Sequence, residues 1–136
     1  MFKVPPAATR GFALWQAAMR WQRAVDTALR PRQLTHTQYL VLATAARAVA
    51  EQGDAIAQLV IARSAGLDRA TTSTLVQKLE TRGLVERSVD GADARKWRVT
   101  LTRRGWAELE KATALVEAAA KKAAPGRGFN RHLAAD

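Results

Sequence analysis

Between Asp68 and Leu101 the hydrophobic period changes once, and that change restricts the fold more than any other feature of the chain. Thr72, Leu75, Val76 and Leu79 recur at helical spacing behind an Asp68 cap, and Gly83 closes the segment. Val85, Arg87 and Val89 then alternate, Asp90-Gly91-Ala92-Asp93-Ala94-Arg95 turns the chain, and Trp97, Val99 and Leu101 alternate back. A helix running straight into a hairpin with one apolar face needs further helices to bury both. The expectation is a mainly α domain with a small β-hairpin.

The outer face of that helix carries Arg69, Ala70, Thr71, Ser73, Thr74, Gln77 and Lys78. Small, hydrogen-bonding side chains let a helix backbone approach base edges and phosphates. Charge points the same way. The chain of 136 residues has 22 Lys and Arg against 12 Asp and Glu, a formal charge of +10, which favours a polyanionic partner. Residues 1–34 hold six Lys or Arg against one Asp, residues 68–104 hold nine against five carboxylates, and residues 35–67 balance at two each. Positive charge therefore gathers at the amino end and on the helix-hairpin unit, where Lys78, Arg82, Arg87, Lys96 and Arg98 form the candidate phosphate-contacting group.

Upstream, residues 1–10 read as a flexible arm, followed by a helix over 11–30. It carries Phe12, Trp15, Ala18, Met19, Val25 and Leu29, with Leu14 and Trp21, and ends before Pro31. That apolar stripe is wider than a small domain buries by itself. Thr35 and Gln38 have capping-box spacing, with Leu34 and Tyr39 placed for a hydrophobic staple, and the helix they open stops at Gly53. Asp54 is placed to cap a shorter helix bearing Ile56, Leu59 and Val60, which ends at Gly66. Two helices joined by a short Gly-containing turn are the helix-turn-helix arrangement. Thr102 opens a last long helix with Trp106, Leu109, Ala112, Val116 and Ala119, spanning 102–124, and residues 125–136 read as a flexible tail.

Other classes of chemistry find no residues. Without cysteine there is no disulfide framework and no thiolate metal site. Neither a paired-histidine metal motif nor a phosphate-cradling Gly loop is present, and no Ser has a credible base, so no catalytic residue, metal or cofactor is expected. No apolar run approaches the ~20 residues that span a bilayer. Met1-Phe2-Lys3-Val4-Pro5-Pro6 lacks the apolar core of a secretion signal. The expected setting is the cytoplasm.

Leu34-Thr35-His36-Thr37-Gln38-Tyr39, Gly66-Leu67-Asp68-Arg69-Ala70-Thr71, Leu79-Glu80-Thr81-Arg82-Gly83-Leu84-Val85 and the stretch from Asp90 to Thr102 together resemble the MarR (multiple antibiotic resistance regulator) family of bacterial winged helix-turn-helix regulators. The resemblance covers roughly residues 12–120. It implies a DNA-binding lobe over 34–101, a recognition helix in the major groove, and a wing whose Asp93-Ala94-Arg95 aims Arg95 at the minor groove or nearby backbone. It also implies a homodimer joined through the terminal helices, for which Phe12, Leu14, Trp15, Trp106, Leu109 and Val116 are the candidates. A small aromatic ligand between that base and the lobe is implied too, and repression is the implied outcome. Two positions depart from the family pattern, Ala94 and Thr74, where a basic side chain is common.

Some of these residues have plainer uses. Trp15, Met19, His36 and Tyr39 are the candidates for an aromatic-ligand pocket, yet at helical spacing such side chains also serve as core or dimer contacts. The pair Asp93 and Arg95 is also an ordinary turn salt bridge, worth ~0–1 kcal/mol. Two alternatives to sequence-specific regulation stay open at this point, a winged-helix protein-interaction module and a nonspecific DNA-packing protein.

Overall fold

The structure, a computed structural model, describes residue 3, residues 9–93 and residues 95–123. The expected tail, most of the expected arm and Ala94 lie outside the described residues. The helices and strands follow in the order α1 (Arg10–Leu29), a 3-10 turn (Arg30–Arg32), α2 (His36–Gln52), β1 (Ile56–Ala57), α3 (Gln58–Ala65), α4 (Arg69–Thr81), β2 (Val85–Val89), β3 (Trp97–Leu101) and α5 (Arg103–Ala123).

Local chemistry explains most of the boundaries. Thr9 caps α1 by accepting from the Phe12 amide, and the Thr35–Gln38 capping box forms in both directions at 3.1 Å. Gly53 and Gly66 end α2 and α3 in left-handed backbone, a conformation that costs a residue without Cβ little. Gln33, between the 3-10 turn and α2, holds φ +56 without being glycine.

One boundary differs from expectation. Asp54 does not cap a helix: its Oδ1 accepts from the next amide, Ala55. Ile56 and Ala57 are instead extended, pairing antiparallel with Val99 and Arg98, so the hairpin grows into a three-stranded sheet of order β1-β3-β2. Ile56 is fully buried there, and the inner face of α3 is Ile61 and Ala62, with Leu59 and Val60 only partly covered. Backbone pairing with β3 satisfies donors and acceptors that a first helical turn would leave open.

The core lies between the sheet and the helices. Leu29, Leu42, Ile56, Ile61, Val76, Leu79 and Val99 are fully buried. The terminal helices α1 and α5 pack on each other, with Val25, Ala112 and Val116 enclosed. Val116 therefore serves the core of its own chain and not, as expected, an interface with a second copy. Leu109 packs partly against the same core.

The sheet is joined to α5 through one tight corner. The Thr102 hydroxyl donates to the Gly83 carbonyl at 2.6 Å and accepts from the Gly105 amide at 3.0 Å, capping α5. Gly105 sits so close to Leu84 that an added Cβ would stand 1.9 Å from the Leu84 carbonyl oxygen. No described helix is long and apolar enough to cross a membrane.

Candidate nucleic-acid interface

Helix α4 begins on an Asp68 carboxylate that takes the Thr71 amide on one oxygen and the Thr71 hydroxyl on the other, each at 2.7 Å. These bonds favour the ionised carboxylate and hold Asp68 below the usual Asp range, the Thr71 amide contributing most. Thr72, Val76 and Leu79 face inward, with Leu75 partly buried beside them. The outer positions stand as the sequence arranges them: Arg69, Ala70, Thr71, Thr74, Gln77 and Lys78 are exposed and Ser73 half-buried. Two hydroxyl protons on this face are already engaged, that of Thr71 on Asp68 and that of Thr74 on the Ala70 carbonyl. Both hydroxyls are left to accept, and both methyls to make apolar contact.

The wing tip is an ordered turn. The Asp90 carboxylate accepts from the Ala92 amide at 2.8 Å and from the Arg98 guanidinium at 3.3 Å, the amide being the main reason that its pKa lies below the usual range. Asp93 accepts from the Arg95 amide at 3.0 Å and from Arg95 Nε at 3.3 Å. These are the local side-chain to backbone bonds that stabilise Asx turns. Their effect is to hold Arg95 outward: its side chain is 92% exposed even while paired. Lys96 is exposed beside it.

Three of the basic residues expected to contact DNA are held inside the fold. Arg87 has only 11% of its side chain exposed, because Glu80 on α4 takes its Nε and Nη2 and the Trp97 ring lies 4.5 Å from its Cζ. Arg98 spans from Asp90 to the Ala55 carbonyl, joining the wing to β1. Arg82 donates to the carbonyls of Gln33 and Arg32, at 2.7 and 3.0 Å. Each guanidinium has a fixed intramolecular partner, so the exposed cations are Arg69, Lys78, Arg95 and Lys96.

Sequence reading missed the partners. Glu80 gives no periodic signal, and neither does Glu108, which binds Arg32 through two bonds of 2.8 and 2.5 Å across 76 residues. Gln58, the first residue of α3, was also missed: its Oε1 is the one buried side-chain acceptor or donor without a hydrogen-bond partner among the described residues. Leaving such an atom unsatisfied costs ~1–3 kcal/mol.

The candidate ligand residues are occupied or scattered. His36 meets Trp21 edge to face at 5.0 Å and its amide donates to Asp26, while the Tyr39 hydroxyl pairs with Thr113 on α5 at 3.1 Å. Met19 is half-buried. Trp15 is 58% exposed on α1, stacked at a tilt on Phe12, with Leu14 beside it at 51%. On α5 Trp106 is 42% exposed.

Comparison with known proteins identifies this arrangement. A sequence model described as the MarR family matches residues 32–96, from the 3-10 turn to the wing. The uncharacterized HTH-type transcriptional regulator YdcH of Bacillus subtilis is 35% identical over 112 residues, covering 82% of this chain and 76% of that protein. The chain belongs to the MarR family. Two solved MarR-type structures superimpose on it with TM-scores of 0.76 at 32% identity. One is a MarR-family transcriptional regulator from Rhodococcus sp. RHA1, covering 90% of this chain and 86% of that one. The other is CouR from Rhodococcus jostii RHA1 bound to p-coumaroyl-CoA, covering 93% and 88%. In this MarR-family chain, α3 and α4 form the helix-turn-helix and β2 and β3 the wing.

Proposed function

We propose that this MarR-family regulator reads double-stranded DNA as a homodimer, with α4 in the major groove and Arg95 at the minor groove or backbone beside it, and represses the genes it occupies. The carrying observation is the pairing of an exposed, uncharged-tipped helix face with a wing whose outermost guanidinium is held outward by its own Asp93. Ala70, Thr71, Ser73, Thr74 and Gln77 are the base-reading set, while Arg69, Lys78, Arg95 and Lys96 supply phosphate contacts. Membership of a transcription-regulator family and the +10 charge support the same reading. The role is binding, without catalysis, and its place is with the chromosome in the cytoplasm.

Leu14, Trp15 and Trp106, with Phe12, supply the dimer contact, since large apolar groups on two adjoining helices otherwise face water. Two copies of α4 then read half-sites about 34–36 Å apart. The structure of CouR with p-coumaroyl-CoA supports a response to a small aromatic compound.

Selection of bound duplexes from a random pool tests the reading. The expected outcome is a roughly palindromic site with half-sites one turn apart, retained at near-physiological salt over competitor DNA. Tight binding with no sequence preference would assign the protein to packing, and no binding at all would leave the α4 face to a protein partner.

A further inference from the structure

The orphaned acceptor of Gln58 lies beside a cleft that no DNA contact accounts for. Between the wing and the corner of α3 and α4 a hollow of about 280 Å³ opens, close to the ~300 Å³ at which small-molecule sites begin. Leu59 and Val60 of α3 and the half-exposed Trp97 give it apolar walls. Arg63, Arg69, Arg95 and Lys96 also line it, and no carboxylate does. Thr72 lines it as well, but its hydroxyl proton is engaged on the Asp68 carbonyl. Gln58 completes the lining, and its buried Oε1 needs a donor. A deoxyribose-phosphate strand offers only acceptors, so DNA lying across the cleft leaves Oε1 unsatisfied.

We infer that this cleft is a receptor for a flat organic anion of one or two rings that carries its own hydrogen-bond donor, and that its occupant competes directly with DNA. The ring lies between Trp97 and the α3 side chains, the anionic group meets the guanidinium and ammonium groups, and the donor reaches Gln58. Arg69 and Arg95 belong to this lining and to the proposed DNA face alike. An anion held there removes two cations from the phosphates and fills the gap between helix and wing. The competition, but not the site, rests on the DNA reading.

The test uses the full chain and three probes: hydroxynaphthoate with its carboxylate and hydroxyl at opposite ends, naphthoate, and naphthol. Nitrogen-labelled protein reports the Trp97 indole and Gln58 side-chain amide signals separately. Hydroxynaphthoate is expected to shift both saturably, with naphthoate and naphthol each about tenfold weaker, one for lack of the donor and one for lack of charge. Gln58→Leu makes hydroxynaphthoate and naphthoate equal, and Arg63→Ala weakens both without weakening naphthol. If either variant loses its folded spectrum, the three-probe comparison on the unaltered chain decides alone. Equal affinities for the three probes, shifts confined to Trp15, Trp21 or Trp106, or no saturation up to about 10 mM would overturn the site. In the second arm, saturating hydroxynaphthoate releases a bound duplex, and a duplex still held at saturation overturns the competition. Failure to bind duplex without any probe strikes the DNA reading and leaves the cleft titration standing.

Discussion

Arg95 and Arg87 are both wing arginines facing a carboxylate, and their surroundings give them opposite work. Arg95 pairs with Asp93 in open solvent, where an ion pair contributes ~0–1 kcal/mol and gives way readily to a phosphate. Arg87 is enclosed by Glu80 and Trp97. Arg95→Ala is therefore expected to keep stability within ~1 kcal/mol, weaken binding to specific and unrelated duplexes alike, and lower the salt slope by about one. Arg87→Ala is expected to do the reverse, costing ~1–3 kcal/mol of stability with the slope unchanged. Denaturant midpoints and a salt series on both variants check the pair, and a lowered slope at full stability for Arg87→Ala would make it a phosphate ligand after all. Gly105 is the other decisive single residue. A methyl there meets a backbone carbonyl, which cannot swing aside, so Gly105→Ala should lose ~1–3 kcal/mol or more by overpacking. Gly11→Ala, with nothing within 4 Å, serves as the control and should not destabilise. Equal melting temperatures for the two variants would contradict the close approach.

At the scale of the element, α4 is a reading surface whose chemistry is set partly by its own hydrogen bonds. Thr71 has given its proton to Asp68, so it presents lone pairs and a methyl, suited to a base amino group or a thymine methyl. Gln77 keeps its whole amide for two-bond contact. Changes at Thr71 or Gln77 are expected to redistribute sequence preference by ~1–3 kcal/mol for each base-edge interaction removed, with nonspecific affinity little altered. Site selection with each variant checks this, and preferences identical to the unaltered chain would remove these two from readout. The helix was legible beforehand because cap, apolar spacing and Gly terminator agree over its whole length. Strand β1 was not, because two residues are too few to show alternation and its extended form comes from pairing with β3, distant along the chain.

For the molecule as a whole, the link between reading lobe and base passes through charged groups. Arg82 at the end of α4 holds the carbonyls of Arg32 and Gln33, and Arg32 holds Glu108 of α5, whose side chain is 14% exposed. The Arg32 hydrogen bond, with the charges of Arg32, Arg82 and Lys111, keeps the Glu108 carboxyl below the usual Glu range. A carboxyl depressed in the folded state contributes stability that is fully present above its unfolded pKa and lost as pH falls through the folded one. Denaturant midpoints should therefore fall as pH drops from neutral into the acid range, and Glu108→Gln should flatten part of that fall. Asp68 and Asp90, depressed for their own reasons, act in the same direction and leave the remainder. An unchanged pH profile in Glu108→Gln would show that the pair does not connect base to lobe.

Sequence alone determined what depends on neighbours along the chain: the capped helices, the Gly stops, the hairpin, the polar face of α4 and the Asp93-Arg95 turn. Periodicity and capping act over a few residues, so one strand of letters records them. Only the tertiary structure decided which arginines are free, that Val116 faces its own core, that Ile56 is a strand, and that Gln58 is buried without a donor. Those outcomes depend on partners brought close by folding, Glu80 to Arg87 or Arg32 to Glu108. Burial and pairing are properties of the packed whole, and spacing in sequence does not encode the distance across it.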